Sequence, residues 1–221
     1  MRYQWHFQVV FSNWPLLLEG LRMTIILTVL IFLIGIVLGL IIALIRYARI
    51  PIFSQLSTAY VEFFRTTPLY TQLVWLFYCL PILVGMSLPS FESAVIAFSL
   101  NFAAFQSEIF RAGILSLSRG QREAAYALGM TQVQALRRIL VPQAINRVIP
   151  PTASMWVGLF KDTAIVSLIA VADLMYRARQ LVTDTYRPLE VLTVTAVMYF
   201  IVTYPQARFV DYLDHRFRVV E

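Results

Sequence analysis

From Met23 to Ile45 the chain reads MTIILTVLIFLIGIVLGLIIALI, a run without one charged residue, and that run limits what the rest can fold into. A helix of this length crosses the ~30 Å hydrocarbon core of a bilayer, and Arg46 and Arg49 stop it where it would emerge among head groups. The remainder repeats the theme. With 59% hydrophobic and 14% charged residues, a soluble fold of 221 residues could not hide its apolar surface. The expectation is therefore an all-α membrane protein, a single domain over residues 1–221 with about five transmembrane helices. The spans are read as Met23–Ile45, Leu69–Val84 with a bend at Pro81, Ser93–Gly113, a broken span from Val148 to Tyr176, and Val191–Phe209. Ahead of them residues 1–19, with Trp5, Trp14 and Pro15, read as an interfacial segment with aromatic anchors. Residues 51–68 read as a polar connector in which Glu62 and Arg65 are spaced to pair across one helical turn.

A formal charge of +6 invites a nucleic-acid partner until the positions of the arginines are traced. They lie between the apolar runs. With the amino terminus outside and the carboxyl terminus in the cytoplasm, twelve arginines fall inside and five outside, the positive-inside pattern of a multi-pass protein in contact with lipid. Nucleic acid is excluded as a partner. Three of the five outer arginines, Arg177, Arg179 and Arg187, crowd one loop, where either an acidic partner surface or anionic head groups would meet them. Cys79 stands alone, and the two histidines, His6 and His215, flank the spans on opposite sides, so no metal cluster and no catalytic dyad is expected. Lys161, the only lysine, sits in Phe160-Lys161-Asp162 and not in a P-loop, so ATP hydrolysis would need a separate subunit.

The longest polar interruption is residues 118–142, SRGQREAAYALGMTQVQALRRILVP. Ser118 with Gln121 and Thr131 with Gln134 fit the capping box, Gly129 fits a left-handed helix end, and Pro142 is read as the stop of the second helix. The product is a basic, small-residue hairpin suited to a protein partner. Within the spans, Gly35 and Gly39 form a G-x-x-x-G that lets another helix approach. Asn101, Ala104 and Glu108 share one face, which should look inward because a lipid-facing carboxylate is costly. Glu108 is either a site residue or the local partner of Arg111. Asp162 is placed to cap a half-helix whose Thr163 and Ala164 amides, together with Lys161, would favour a substrate carboxylate; the alternative is an internal Lys161–Asp162 pair.

Glu123-Ala124-Ala125, Gly129 and Leu140-Val141-Pro142 together resemble the EAA loop of the permease subunits of bacterial ABC importers. The resemblance extends over nearly the whole chain. EFFRTTPLYTQL is similar to a family segment of FRGTPLLVQL type, with Thr66 in place of Gly; AAFQSEIFRAGI is similar to the segment ahead of the loop; and KDTAIVSLIAVADL is similar to a KDTSL-like motif, with Ala164 in place of Ser. This resemblance implies a coupling helix in which Arg119, Gly120, Glu123, Ala124, Ala125, Leu128 and Gly129 meet a cytoplasmic ATPase dimer that binds the ATP and Mg. It further implies a second permease subunit, identical or homologous, a periplasmic or extracellular substrate-binding protein, and alternating access in the bacterial inner membrane. The group it resembles takes up polar amino acids. The ADL segment at Asp173 is similar to permeases for acidic amino acids, with basic or amide amino acids and ectoine-like solutes also open. The rival class is a self-powered carrier of a small carboxylate-bearing solute, which should show internal repeats and buried ion ligands. No repeat is found, and only Glu108, Lys161 and Asp162 could serve as ligands.

Overall fold

The computed structural model describes residues 3–85, 87–116 and 119–217, apart from the side chains of Arg119 and Arg122. Helix dominates, and no strand occurs among the described residues. The order is α1 (Gln8–Ser12), α2 (Trp14–Ala48), α3 (Pro51–Thr66), α4 (Leu69–Val74), α5 (Leu80–Val84), α6 (Ser90–Leu115), α7 (Arg119–Ala127), α8 (Gln132–Ala135), α9 (Val141–Asp162), α10 (Leu174–Thr185) and α11 (Pro188–Phe217). Four helical stretches are long and apolar enough to cross a membrane, or five if α3 and Leu69–Val84 count as one broken span. The expected number of crossings is met, but several boundaries move.

Prolines explain most of those moves. Pro15, Pro51 and Pro188 stand in the first two positions of α2, α3 and α11, where a missing N–H is no loss. Helix α2 therefore starts at Trp14 and not at Met23, which shortens the interfacial segment to the residues before it. The expected connector at 51–68 is a helix. In α3, Tyr60 donates to the Leu100 carbonyl at 2.6 Å and the Phe64 carbonyl accepts from Asn101 Nδ2 at 2.9 Å, so one face is bound to α6. Ile52, Leu56 and Phe63 of the same helix are exposed. A polar average over the segment concealed an amphipathic pattern.

Two π-turns, Trp75–Cys79 and Leu136–Leu140, each end two residues before a proline. The Leu80 amide bonds Trp75 and the Val141 amide bonds Leu136, five residues back in both cases. The widened turn makes room for the ring of Pro81 or Pro142, which would otherwise press on the carbonyl four residues before it. Pro81 accordingly sits within α5, and Pro142 does not stop a helix as expected: the chain runs through the π-turn into α9.

The chain forms two compact units. The first comprises Met1–Leu33, Thr67–Ser99 and Trp156–Ala207. Its core gathers Val10, Leu17, Leu174, Ala178, Leu181, Val191 and Met198. Glu190, fully buried, accepts from Tyr3 Oη at 2.5 Å and from the His6 amide at 2.9 Å, which ties the amino-terminal segment to the start of α11. The second unit comprises Ile34–Thr66, Leu100–Met155 and Arg208–Glu221. Here α2 meets α6 through Gly35, where a Cβ would strike the Phe102 ring, and Gly39, where it would meet Gln106 and the Ala103 carbonyl. The G-x-x-x-G does admit a second helix, as membrane packing without a hydrophobic drive requires.

Candidate functional site

The polar hairpin begins with α7, which ends in a Schellman turn. Gly129 takes φ +74°, its amide bonds the Tyr126 carbonyl at 2.9 Å, and the Met130 amide reaches back to Ala125 at 3.1 Å. Nothing lies within 4 Å of the place a Gly129 Cβ would occupy. Glycine is therefore required here by the backbone and not by crowding. Two residues on, the Thr131 hydroxyl accepts from the Gln134 amide at 3.3 Å while Gln134 Oε1 accepts from the Thr131 amide at 2.9 Å, the complete capping box. The corresponding box at Ser118 lies outside the described residues. Ala125 and Ala135 are buried between the two helices, whereas Gly120, Glu123, Ala124, Tyr126, Ala127 and Leu128 face outward. Leu128, 79% exposed, is the most prominent apolar side chain of the element. Small residues with one projecting leucine make a surface that a groove can take. The Arg119 backbone begins α7, and its side chain lies outside the described residues.

Close to α6, one carboxylate collects three guanidinium groups. Arg46 Nη1 bonds Glu108 Oε1, Arg111 Nη2 is 2.7 Å from Oε2, and Arg65 Nη1 is 3.9 Å from the same oxygen and rests on the Phe105 ring. Both expectations for this region change. Glu108 does pair with Arg111, but with Arg46 and Arg65 as well, and Arg65 turns to Glu108 instead of Glu62 because three cations and one anion leave excess positive charge seeking the carboxylate. Asn101 holds Phe64 of α3. Gln106 Nε2 donates to Thr152 Oγ1 at 2.7 Å, and Arg147 donates to the Ser116 carbonyl, so α6 and α9 are joined both in mid-helix and at the base of the hairpin.

Comparison with known proteins identifies the family. Residues 35–219 match the sequence family described as the binding-protein-dependent transport system inner membrane component. The chain belongs to that family. As a transport component it is 44% identical, over 77% of its length and 72% of the relative's, to an L-cystine transport system permease protein of Bacillus subtilis. It is 37% identical to an arginine transport system permease protein of the same organism, over 88% and 89% of the two chains. Against the glutamine transport system permease protein of Escherichia coli the identity is 29% over the full length of both. A solved structure described as an amino acid ABC transporter with histidines superposes with a TM-score of 0.90 at 35% identity, covering 97% of this chain and 100% of the other. The all-helical fold of the transport component is that of an ABC transporter permease.

In this transport component the Lys161 region departs from expectation. Asp162 is the last residue of α9, keeps helical angles and makes no cap bond, so no half-helix begins at Thr163. The chain tightens instead into a 3-10 segment, Thr163–Ile169, in which Thr163 is buried and donates to the Phe160 carbonyl at 2.8 Å. Tightening keeps most amides bonded, which removes the free Thr163 and Ala164 donors. Lys161 and Asp162 themselves are exposed, and Ala164 is half-buried. The side-chain cap that Asp162 was expected to supply is made by Asp173, whose Oδ1 accepts from the Tyr176 amide at 2.8 Å at the start of α10. The spacing Asp173-x-x-Tyr176 ahead of a periodic run was the available signal; the local attraction of Asp next to Lys161 obscured it.

Proposed function

We propose that this chain is the membrane-spanning subunit of an ATP-driven importer of a polar α-amino acid. In this reading α7, from Arg119 through Glu123, Ala124 and Ala125 to Leu128 and Gly129, is the coupling helix on the cytoplasmic face. The observation that carries it is the exposure of the small outward side of α7, fixed at one end by a glycine-dependent turn and backed by a capping box. The amino terminus is outside and the carboxyl terminus cytoplasmic, as the arginine distribution favours. Partners in this reading are an ATPase dimer, which binds ATP and Mg, a second permease subunit of the same or homologous sequence, and a substrate-binding protein. Closure of the ATPase pair on ATP pushes α7, and the junctions Arg147–Ser116 and Gln106–Thr152 carry that displacement into α6 and α9 together.

Cystine, arginine and glutamine, the solutes in the names of the relatives, share an α-ammonium and an α-carboxylate and differ in everything else. That pattern supports a polar amino acid and gives no preference for glutamate or aspartate. Lys161 and Asp162, exposed within an otherwise apolar stretch, supply one charge of each sign along the path. Asn101 is engaged with Phe64 of α3, Glu108 with Arg46 of α2 and Thr163 with the Phe160 carbonyl of its own helical run, and they act there by shaping the path. The test is a cysteine at Ala124 in proteoliposomes carrying the co-expressed ATPase. Crosslinking to the ATPase that changes on ATP binding is expected; a thiol reactive only from outside the vesicle-equivalent of the cell, or buried in lipid, would overturn the assignment. Lys161→Met should impair uptake while leaving ATPase association intact, and undiminished uptake would remove Lys161 from the path.

A further inference from the structure

Two of the three arginines crowded at α10 are committed. Arg177 Nη2 lies 3.6 Å from Glu19 and its Nη1 donates to Gln180 Oε1 at 3.1 Å. Arg187 Nη1 lies 3.8 Å from Glu190 and donates to the Gln4 carbonyl at 3.3 Å. Arg179 has no ion pair among the described residues, and neither has Asp184. Both line a single cleft of about 320 Å³, completed by Tyr176, Gln180 and Thr183 of α10 and by Ser167 of the 3-10 segment.

A guanidinium and a carboxylate on the wall of one cleft, each without a partner of its own, offer the two ends that a zwitterion needs. Guanidinium takes a carboxylate by paired N–H donation, and Asp184 takes an ammonium. The other polar groups of the wall, three hydroxyls and an amide, are uncharged and therefore set no demand on the charge of a side chain. The volume is at the lower end for small-molecule clefts, which suits one amino acid. Arg179 and Asp184 are exposed, so water screens both contacts and binding is weak. Ser167 also stands four residues from Thr163 in the same 3-10 segment, about 8 Å along its axis, so the cleft adjoins the end of the segment that follows Lys161 and Asp162.

We propose that this cleft is a weak transit site for zwitterionic α-amino acids, reading the ammonium and carboxylate common to all of them and indifferent to the side chain. The proposal rests on the reading of the chain as an amino acid importer and adds to it a station that does not select among substrates. Selection then belongs to the binding protein or to the path beyond.

The experiment uses the complete permease–ATPase complex in nanodiscs and saturation-transfer NMR, with L-glutamine, L-arginine and L-glutamate as probes beside N-acetyl-L-glutamine, which lacks the ammonium, and L-glutamine amide, which lacks the α-carboxylate. The three amino acids should bind with similar, weak Kd, and each analogue should bind about tenfold more weakly, the loss expected for one charged hydrogen-bonded contact. Asp184→Asn should erase the discrimination against the N-acetyl form alone, and Arg179→Gln that against the amide alone. A merely structural role for either residue would not produce that crossed pattern. Equal binding of the analogues, retention of both discriminations in the variants, or no binding at tens of millimolar overturns the site. Loss of amino acid binding when phosphatidylethanolamine replaces phosphatidylglycerol in the disc would assign the cleft to a lipid head group and overturn it too. Uptake by the same complex with its binding protein is measured in parallel: if no amino acid is taken up the importer reading fails, whereas uptake with an uncrossed binding pattern sinks only the transit site.

Discussion

The α7–α8 turn and the corner ahead of α10 end one helix and start the next by the same device, and differ in everything around it. Both are Schellman turns. At the first, Gly129 takes the left-handed position and Thr131 restarts the chain; at the second, Ala170 takes φ +60°, its amide bonds Ser167, the Val171 amide bonds Val166, and Asp173 restarts the chain. Gly129 has open space around it. The α10 corner is enclosed: the Leu174 amide donates to Thr24 Oγ1 at 3.1 Å, the Thr24 hydroxyl bonds the Gly20 carbonyl, and Asp173 and Leu174 are fully buried. Ala170 is itself exposed; an alanine there carries roughly 1–2 kcal/mol of left-handed strain, which the buried residues on either side, Ile169, Val171 and Asp173, hold in place. The first turn, with no packing to hold it, depends on glycine. Backbone chemistry alone thus separates an open turn from one anchored in its own core.

Gly129→Val attacks that contrast most directly. A β-branched residue at φ +74° costs more than ordinary left-handed strain, and no neighbour compensates, so α7 must shift. Substrate-dependent ATP turnover in proteoliposomes should fall about tenfold or more, with the thermal stability of the α10 corner unaffected. Unchanged coupled turnover would mean that the turn does not position α7.

The enclosed corner should respond to pH where the open turn does not. Burial pushes the Asp173 carboxyl up to about 6, against the pull of the amides it caps. The native state therefore keeps a proton that the unfolded chain has already released above its ordinary value of 3.8. Stability should be greatest below about pH 4, decline as pH rises through about 6, and level off above that. Asp173→Asn should flatten this slope in thermal unfolding measured across the range; a slope that survives the substitution belongs to another group.

Smaller effects come from the two restarts. Thr131→Ala removes the capping box and should cost about 1 kcal/mol, read as a lowered unfolding midpoint with coupled turnover largely kept. Ala170→Gly should do the reverse at the other corner, a gain of roughly 0.5 kcal/mol once relieved strain is set against the entropy of glycine. A loss there would show that the Ala170 methyl contributes packing worth more than its strain.

Local chemistry was legible in the sequence and distant chemistry was not. Gly129, the Thr131–Gln134 box and the G-x-x-x-G at Gly35 and Gly39 act over at most a few residues, and each stands where spacing placed it. Arg46 and Glu108 are 62 residues apart, and no local pattern joins them. The same holds for Thr24 with Leu174 and for Tyr3 with Glu190. Helix α3 was obscured for another reason, because its apolar residues are interleaved with Ser54, Gln55, Ser57, Thr58, Glu62 and Arg65, so that averaging reads the segment as a polar link. At Lys161–Asp162 the sequence offered a plausible cap, but continuing α9 into a tighter helix satisfied the backbone without it.

Glu108 has one consequence beyond its own neighbourhood. A carboxylate with a single arginine must be abandoned before its helix can slide, and abandoning a half-buried charge is expensive. With Arg46, Arg65 and Arg111 all in attendance, one partner can let go while another holds, so that the helices bearing them can trade places at a shared anchor without stranding a charge on the way.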